Sequence, residues 1–318
     1  MTDRSQHQTT HHQQSLPAPD ALRSLLVPLD LSANADRVAG RAALLPLARS
    51  AELTLLHVMP KGLPPASARK AKALAHEALG STARRLEQAL PRSLRIQTVT
   101  TSGSPAVEIA RYADASGAEL TVMGRGGSRA LRDVFLGSTA ERAIQRGKVP
   151  VLVVRLPVEA PYRRPALALT LDPAVPHALT WLLRLIPPPR TRVEVIHAFD
   201  VPFEGLTDLT LDDAEEGRKR HGERVERELV SVLQSALARA GVPPAGTPTW
   251  RTHVRHGDLK TVVVRTVEKT NPDLLVLGAE CYSGITRAFF GMTAGDVLRE
   301  VSCDVLVVPP SEPGSRTS

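Results

Sequence analysis

Only two cysteines, Cys281 and Cys303, occur in 318 residues. No disulfide framework can hold such a chain together, and the sparsity suits a reducing cytosol. Aromatic residues are equally scarce, at 3%, and they do not interleave with the basic ones. The stacking platform of a nucleic-acid groove is therefore missing, although a formal charge of +7 keeps smaller polyanions such as nucleotides in view. No apolar run approaches the ~18 residues that a membrane span needs. Residues 1–14 are polar and rich in His, Gln and Thr, without the apolar stretch of a secretory signal. These absences predict a cytoplasmic protein that partners neither membrane nor nucleic acid. What is present, 42% hydrophobic and 23% charged residues, is ordinary globular composition, and at ~100–200 residues per domain the length predicts two domains.

The chain is one unit written twice. Leu25 to Asp30 and Leu167 to Asp172 are strand-like runs ending in Asp, 142 residues apart, and Thr54 to Val58 and Glu194 to Ala198 both end in His and an apolar residue, 140 apart. Later landmarks keep a constant spacing of 154: Gly103 and Gly257, Gly124 and Gly278, Gly137 and Gly291, Val151 and Val305. The growth from 140 to 154 places an insertion of fourteen residues after the second strand of the second copy, where 201–216 reads as an acidic loop. Such regular self-similarity is the mark of a duplicated structural unit.

Within each copy, short apolar runs alternate with helical patterns, the signature of βαβ units and a parallel sheet covered by helices. The patterns predict strands over 24–30, 52–58, 94–100, 119–123 and 150–154, with helices over 34–49, 66–90, 105–115 and 137–146. Asn34 or Ser32 is expected to cap the first helix, and Pro105 suits a first helical turn. Copy two predicts strands over 166–171, 192–197, 249–255, 273–277 and 304–308, and a long helix over 212–240 stopped by Gly241 and Pro243-Pro244. Prolines 157 and 161 mark a link between copies. The domains are accordingly expected at 21–157 and 158–310, with disordered tails at 1–20 and 311–318. His7, His11 and His12 read as a solvated tail, because no partner ligands stand at defined spacing.

Chemistry concentrates after the fourth strand of copy one. Leu120 to Met123 runs into Gly124-Arg125-Gly126-Gly127, and nine residues later Gly137-Ser138-Thr139 opens a helix. Glycines allow a sharp turn and close approach to a ligand, while the free N–H groups and dipole of the next helix favour anionic oxygens. Ser138 and Thr139 add hydroxyl donors, and Arg125, Arg129 and Arg132 stand ready to neutralise charge, although loop arginines are commonly just solvated. The pattern is neither a P-loop nor the dinucleotide fingerprint of a first βα turn.

The segments Val27-Pro28-Leu29-Asp30, Leu55 to Val58, Gly103-Ser104-Pro105, Met123 to Gly127, Gly137 to Arg142 and Val149 to Val154 together resemble the universal stress protein family, in a tandem two-domain form spanning about 21–310. The resemblance implies two open parallel five-stranded α/β sheets, each in the order 3-2-1-4-5 and flanked by helices, a Rossmann-like arrangement that pairs through its last strand. It also implies adenine-nucleotide binding. Asp30 and Val58 fall at the adenosine-contacting positions, and Gly124, Gly127, Gly137 and Ser138 at the phosphate loop, with Met123, Pro28, Ser128 and Thr139 in support. Ligands in such sheets sit at the carboxyl ends of the strands, near the switch between strands one and four. Asp30 also suits a turn cap.

Copy two departs from the pattern. It carries Cys281 in place of the second glycine, Glu280 beside it and Met292 in place of the serine. A thiol-bearing Cβ, an added negative charge and a lost hydroxyl all oppose phosphate. The expected function is an ATP-binding regulatory module of the stress response, with ATP held by copy one, Mg²⁺ or Mn²⁺ accompanying the phosphates, and copy two mainly structural. Edge strands 150–154 and 304–308 are expected to pair within the chain; a homodimer and an unidentified protein partner remain open. The alternatives are a slow ATP hydrolase or adenylate-transferring enzyme, whose only loop base would be Asp133, and a nucleotide-free interaction protein. No catalytic residue and no dedicated metal ligand is assigned.

Overall fold

The computed structural model describes residues 21–126, 138–169, 171, 175–186, 191–200, 211–239, 242, 247–278 and 292–309. Repeat 1 runs β1 (Leu22–Pro28), α1 (Ala35–Ala43), β2 (Leu47–Met59), α2 (Pro65–Ala89), β3 (Arg95–Ser102), α3 (Pro105–Ser116), β4 (Leu120–Gly124), α4 (Ser138–Arg146) and β5 (Val151–Val154). Repeat 2 runs β6 (Pro165–Ala168), α5 (Val175–Leu185), β7 (Arg192–Phe199), α6 (Leu211–Arg239), β8 (Thr249–His256), α7 (Leu259–Thr270), β9 (Leu274–Gly278), α8 (Met292–Glu300) and β10 (Asp304–Val308).

The α/β class and the order 3-2-1-4-5 appear in each repeat, and the two five-stranded sheets join into one through the expected pairing of strands 150–154 and 304–308. Ten strands follow the order β3-β2-β1-β4-β5-β10-β9-β6-β7-β8. All pairings within a repeat are parallel, and the junction, with Val153 opposite Val305 and Val151 opposite Val307, is antiparallel. The reason lies in the edges: β5 and β10 are short, apolar and buried, and an exposed edge of that kind invites pairing. Side-chain alternation then builds two continuous cores. Leu25, Val27, Leu152, Val154, Leu306 and Val308 face α1, α2, α5 and α6. Leu26, Val151, Val153, Val305 and Val307 face α3, α4, α7 and α8. Both cores cross the junction between repeats.

Several boundaries differ from the sequence patterns. Helix α1 stops at Ala43 instead of running to 49, because Pro46 has no N–H to donate and disfavours helical geometry in the residue before it. Residues 47–51 instead lengthen β2, where Leu47 pairs with Leu22 across a bulge. Strand β1 ends at Pro28, two residues early, because Leu31 adopts a left-handed φ of 58° and turns the chain away from the sheet. Strand β6 likewise ends at Ala168. Within the expected acidic loop 201–216, helix α6 already begins at Leu211, and 201–210 lie outside the described residues. Both tails, with His7, His11 and His12, also lie outside them. Asn34 occupies the N-cap of α1 but makes no side-chain cap bond. The turn is built instead from Asp30 Oδ1 accepting the Ser32 N–H at 3.0 Å and Ser32 Oγ accepting the Asn34 N–H at 3.2 Å.

Candidate functional site

A cavity of about 1030 Å³ opens at the carboxyl ends of β1, β2, β4 and β5. Its β2 side carries His57, Val58 and Pro60, and its β4–β5 side carries Met123, Gly124, Arg125, Gly126, Val154 and Arg155. The turn from Pro28 through Ala35 closes one wall, and Thr139 of α4 and Pro105 and Ile109 of α3 contribute others. The position follows from topology. The chain crosses from β1 to β2 on one side and from β3 back to β4 on the other side of β1, so a crevice forms where the direction of winding reverses.

Local geometry explains how the lining is held. The Nδ1–H of His57 donates to the Leu29 carbonyl at 2.8 Å, tying the end of β2 to the turn that carries Asp30. His197 makes the same bond to Leu169 at 2.8 Å, so this histidine is a strap of the duplicated unit and not a peculiarity of the cavity. Gly124 is where α1 comes closest: a Cβ there would meet Val38 Cγ2 at 3.2 Å. Gly126 has φ 68°, a conformation that L side chains adopt at a cost of ~1–2 kcal/mol.

Of the residues expected from sequence, the structure brings Asp30, Val58, Met123, Gly124 and Thr139 into one lining, together with the supporting Pro28. Asp30 is exposed, and its Asx turn and its place in the lining coexist. Ser138 begins α4. Gly127, Ser128 and Gly137 lie outside the described residues, as do Arg129, Arg132, Asp133 and, in repeat 2, Asp172, Glu280, Cys281 and Gly291.

Three lining residues with ionisable side chains, Arg37, Arg155 and His57, were missed. Arg37 sits on α1 with its Nη1–H donating to the Arg155 carbonyl at 2.8 Å. Arg155 follows β5, and His57 lies in β2 beside Val58. Helical spacing from Asn34 to Arg37 was a signal for the first; nothing in the sequence marked Arg155, because its surroundings come from repeat 2. Its backbone N–H donates to Asp304 Oδ1 at 2.6 Å, and its guanidinium donates to the Leu298 and Val301 carbonyls at the end of α8. Burial, and then the neighbouring Arg125 charge, lower the Arg155 pKa to about 10, with Cys303 and Asp304 acting the other way. Asp304 is fully buried and also accepts from the Leu156 N–H at 2.8 Å and the Tyr162 hydroxyl at 2.8 Å. Arg41 completes the knot, with Nε 3.2 Å from Asp304 Oδ2 and its guanidinium 4.1 Å above the Tyr162 ring.

Comparison with known proteins agrees with the architecture. The family model described as universal stress protein family matches residues 21–155 and again 161–309. A universal stress protein of Methanocaldococcus jannaschii is 44% identical over 64 residues, 20% of this chain and 38% of the relative, so well under half of that relative is spanned. Universal stress protein G of Salmonella typhimurium is 30% identical over 114 residues, 36% of this chain and 77% of the relative. Among solved structures, a universal stress protein from Archaeoglobus fulgidus superposes with a TM-score of 0.65 at 18% identity, covering 92% of this chain and 97% of that one, a likeness of fold. With two consecutive matches that together take in nearly all of the ten-stranded sheet, the chain belongs to the universal stress protein family, as a tandem of two of its domains.

Proposed function

We propose that the chain is an ATP-binding regulatory module of the stress response, in which repeat 1 holds the nucleotide and repeat 2 is its structural partner. The observation that carries this reading is the composition of the cavity. Asp30 and Val58 stand on the β1–β2 side, while Gly124, Gly126 and the α4 residue Thr139 stand where phosphates would meet a glycine turn and a helix start. Ser138, at the first position of α4, would add a donor there, and Gly127, Ser128 and Gly137 belong to the same proposed loop. A divalent cation, Mg²⁺ or Mn²⁺, would enter with the triphosphate, whose oxygens supply most of its ligands. Among the described lining residues Asp30 is the sole carboxylate, and its Oδ1 already accepts the Ser32 N–H, which favours binding over hydrolysis. Occupancy would act by changing affinity for a protein partner.

Equilibrium binding of ATP to the full chain, read with its stoichiometry, tests the proposal. One site per chain is expected, strongly weakened by Gly127→Cys and by Ser138→Met, which place repeat 2's residues in repeat 1. Two sites would show that Cys281 and Met292 are tolerated in repeat 2, and absence of binding would move the protein to the nucleotide-free interaction class.

A further inference from the structure

We infer that Arg37, on the α1 wall, is a charge-reading residue of the repeat 1 cavity, favouring a polyphosphorylated nucleotide over its nucleoside; this rests on the nucleotide reading above. Arg37 lines the cavity and is half-buried. Its Nη1–H is spent on the Arg155 carbonyl, a neutral acceptor, and among the described residues no carboxylate pairs with it. The adjacent Asp36 is no partner, because neighbouring side chains on a helix diverge, and both of its oxygens accept from Arg85 on α2. Arg37 is also the third residue of α1, where the helix dipole is positive and a cation is unfavourable. A cation kept at a cost on a cavity wall, with no carboxylate paired to it among the described residues, is a charge placed to meet an anion.

The location decides which part of a nucleotide it meets. Val38 packs over Gly124, and Arg37 is anchored on Arg155, the residue after Val154, which is the register partner of Gly124. Arg37 therefore belongs to the β4–β5 end of the cavity, where the glycine turn begins, and not to the β2 end with Val58. Its anchor is rigid, because the peptide that carries the Arg155 carbonyl gives its Leu156 N–H to the buried Asp304 of repeat 2, as does the preceding Arg155 N–H. A guanidinium fixed by one Nη still offers Nε and the other Nη as a donor fork for phosphate oxygens.

The test is titration calorimetry of the full chain with ATP, AMP and adenosine, for the unchanged protein, Arg37→Gln and Arg37→Lys. Loss of one charge-assisted contact predicts that Arg37→Gln weakens ATP by about 10- to 100-fold while adenosine is unchanged. Arg37→Lys, which keeps the charge and one donor to the Arg155 carbonyl, is expected to retain most of the preference for ATP over adenosine. Equal weakening of all three ligands in Arg37→Gln, or no weakening, overturns the assignment and leaves Arg37 a clamp on Arg155. If Arg37→Gln does not fold, a Lys variant with no remaining preference for ATP overturns it equally. Failure of the unchanged protein to bind any of the three is a different result: it removes the nucleotide reading itself.

Discussion

Gly124 meets α1 so closely that a single methyl group is a sensitive probe of the cavity. Gly124→Ala would place a Cβ 3.2 Å from Val38 Cγ2, and the expected result is a loss of stability of up to ~1 kcal/mol with weaker ATP binding, read by denaturant melts and titration. Cys303 makes a second prediction at this scale. Burial raises its pKa from 9.0 to about 12, so above pH 9 the unfolded thiol ionises while the folded one keeps its proton. The folded state then binds more protons, and stability falls with rising pH by about 1.4 kcal/mol per unit from this group. Tyr162, also raised by burial, adds to the fall above pH 10, and Arg155, lowered from 12.5 to about 10, opposes it between those values. Cys303→Ala should therefore show a flatter stability profile between pH 9 and 10. That Asp30, Val58, Met123, Gly124 and Thr139 stand together in one lining was legible through the family resemblance and the glycine turn that follows a strand, which are carried by local segments. Arg37 was legible only as a neighbour of the Asp30 turn by helical spacing, since its place in the lining depends on the Arg155 carbonyl, 118 positions away.

Helix caps show how the same element is finished differently in the two repeats. Asp258 caps α7, its carboxylate accepting from Lys260 N at 3.3 Å and Thr261 N at 2.8 Å. Ser104, at the equivalent place before α3, makes no side-chain cap bond. Asp258→Ala is expected to cost ~1 kcal/mol and Ser104→Ala much less, measurable as a difference between two chemical melts. Element types were readable along most of the chain because apolar spacing and proline and glycine stops are written locally. The ends of α1 and β2 were misjudged because apolar residues 44–48 satisfy either pattern, and only Pro46 with the Leu22 pairing decides between them.

Asp304 governs the molecule as a whole. Fully buried, it binds the backbone of Arg155 and Leu156, the Tyr162 hydroxyl and the Arg41 charge, so one carboxylate of repeat 2 fastens α1, the end of β5 and the link between repeats. Removing one partner from such a buried set leaves uncompensated charge, and Asp304→Ala is expected to destabilise by ~3–5 kcal/mol, read as a lowered midpoint of a single transition. Asp304→Asn, which keeps an acceptor for both backbone N–H groups, should cost less. The outer pair of Arg299 with Glu141, 2.7 Å apart and partly exposed, would contribute only ~0.2–1 kcal/mol to the same junction. The amino-acid sequence by itself determined the duplication, the α/β class and the glycine turn after β4, because each is carried by spacing along the chain, while the strand order within each repeat came through the family resemblance. Only the tertiary structure decided the antiparallel register of the junction between repeats, that Arg155 lies between the cavity and α8, and that Arg37 lines the cavity with no carboxylate paired to it among the described residues. Those facts arise from contacts between residues more than a hundred positions apart, where no local pattern can specify which side chain meets which.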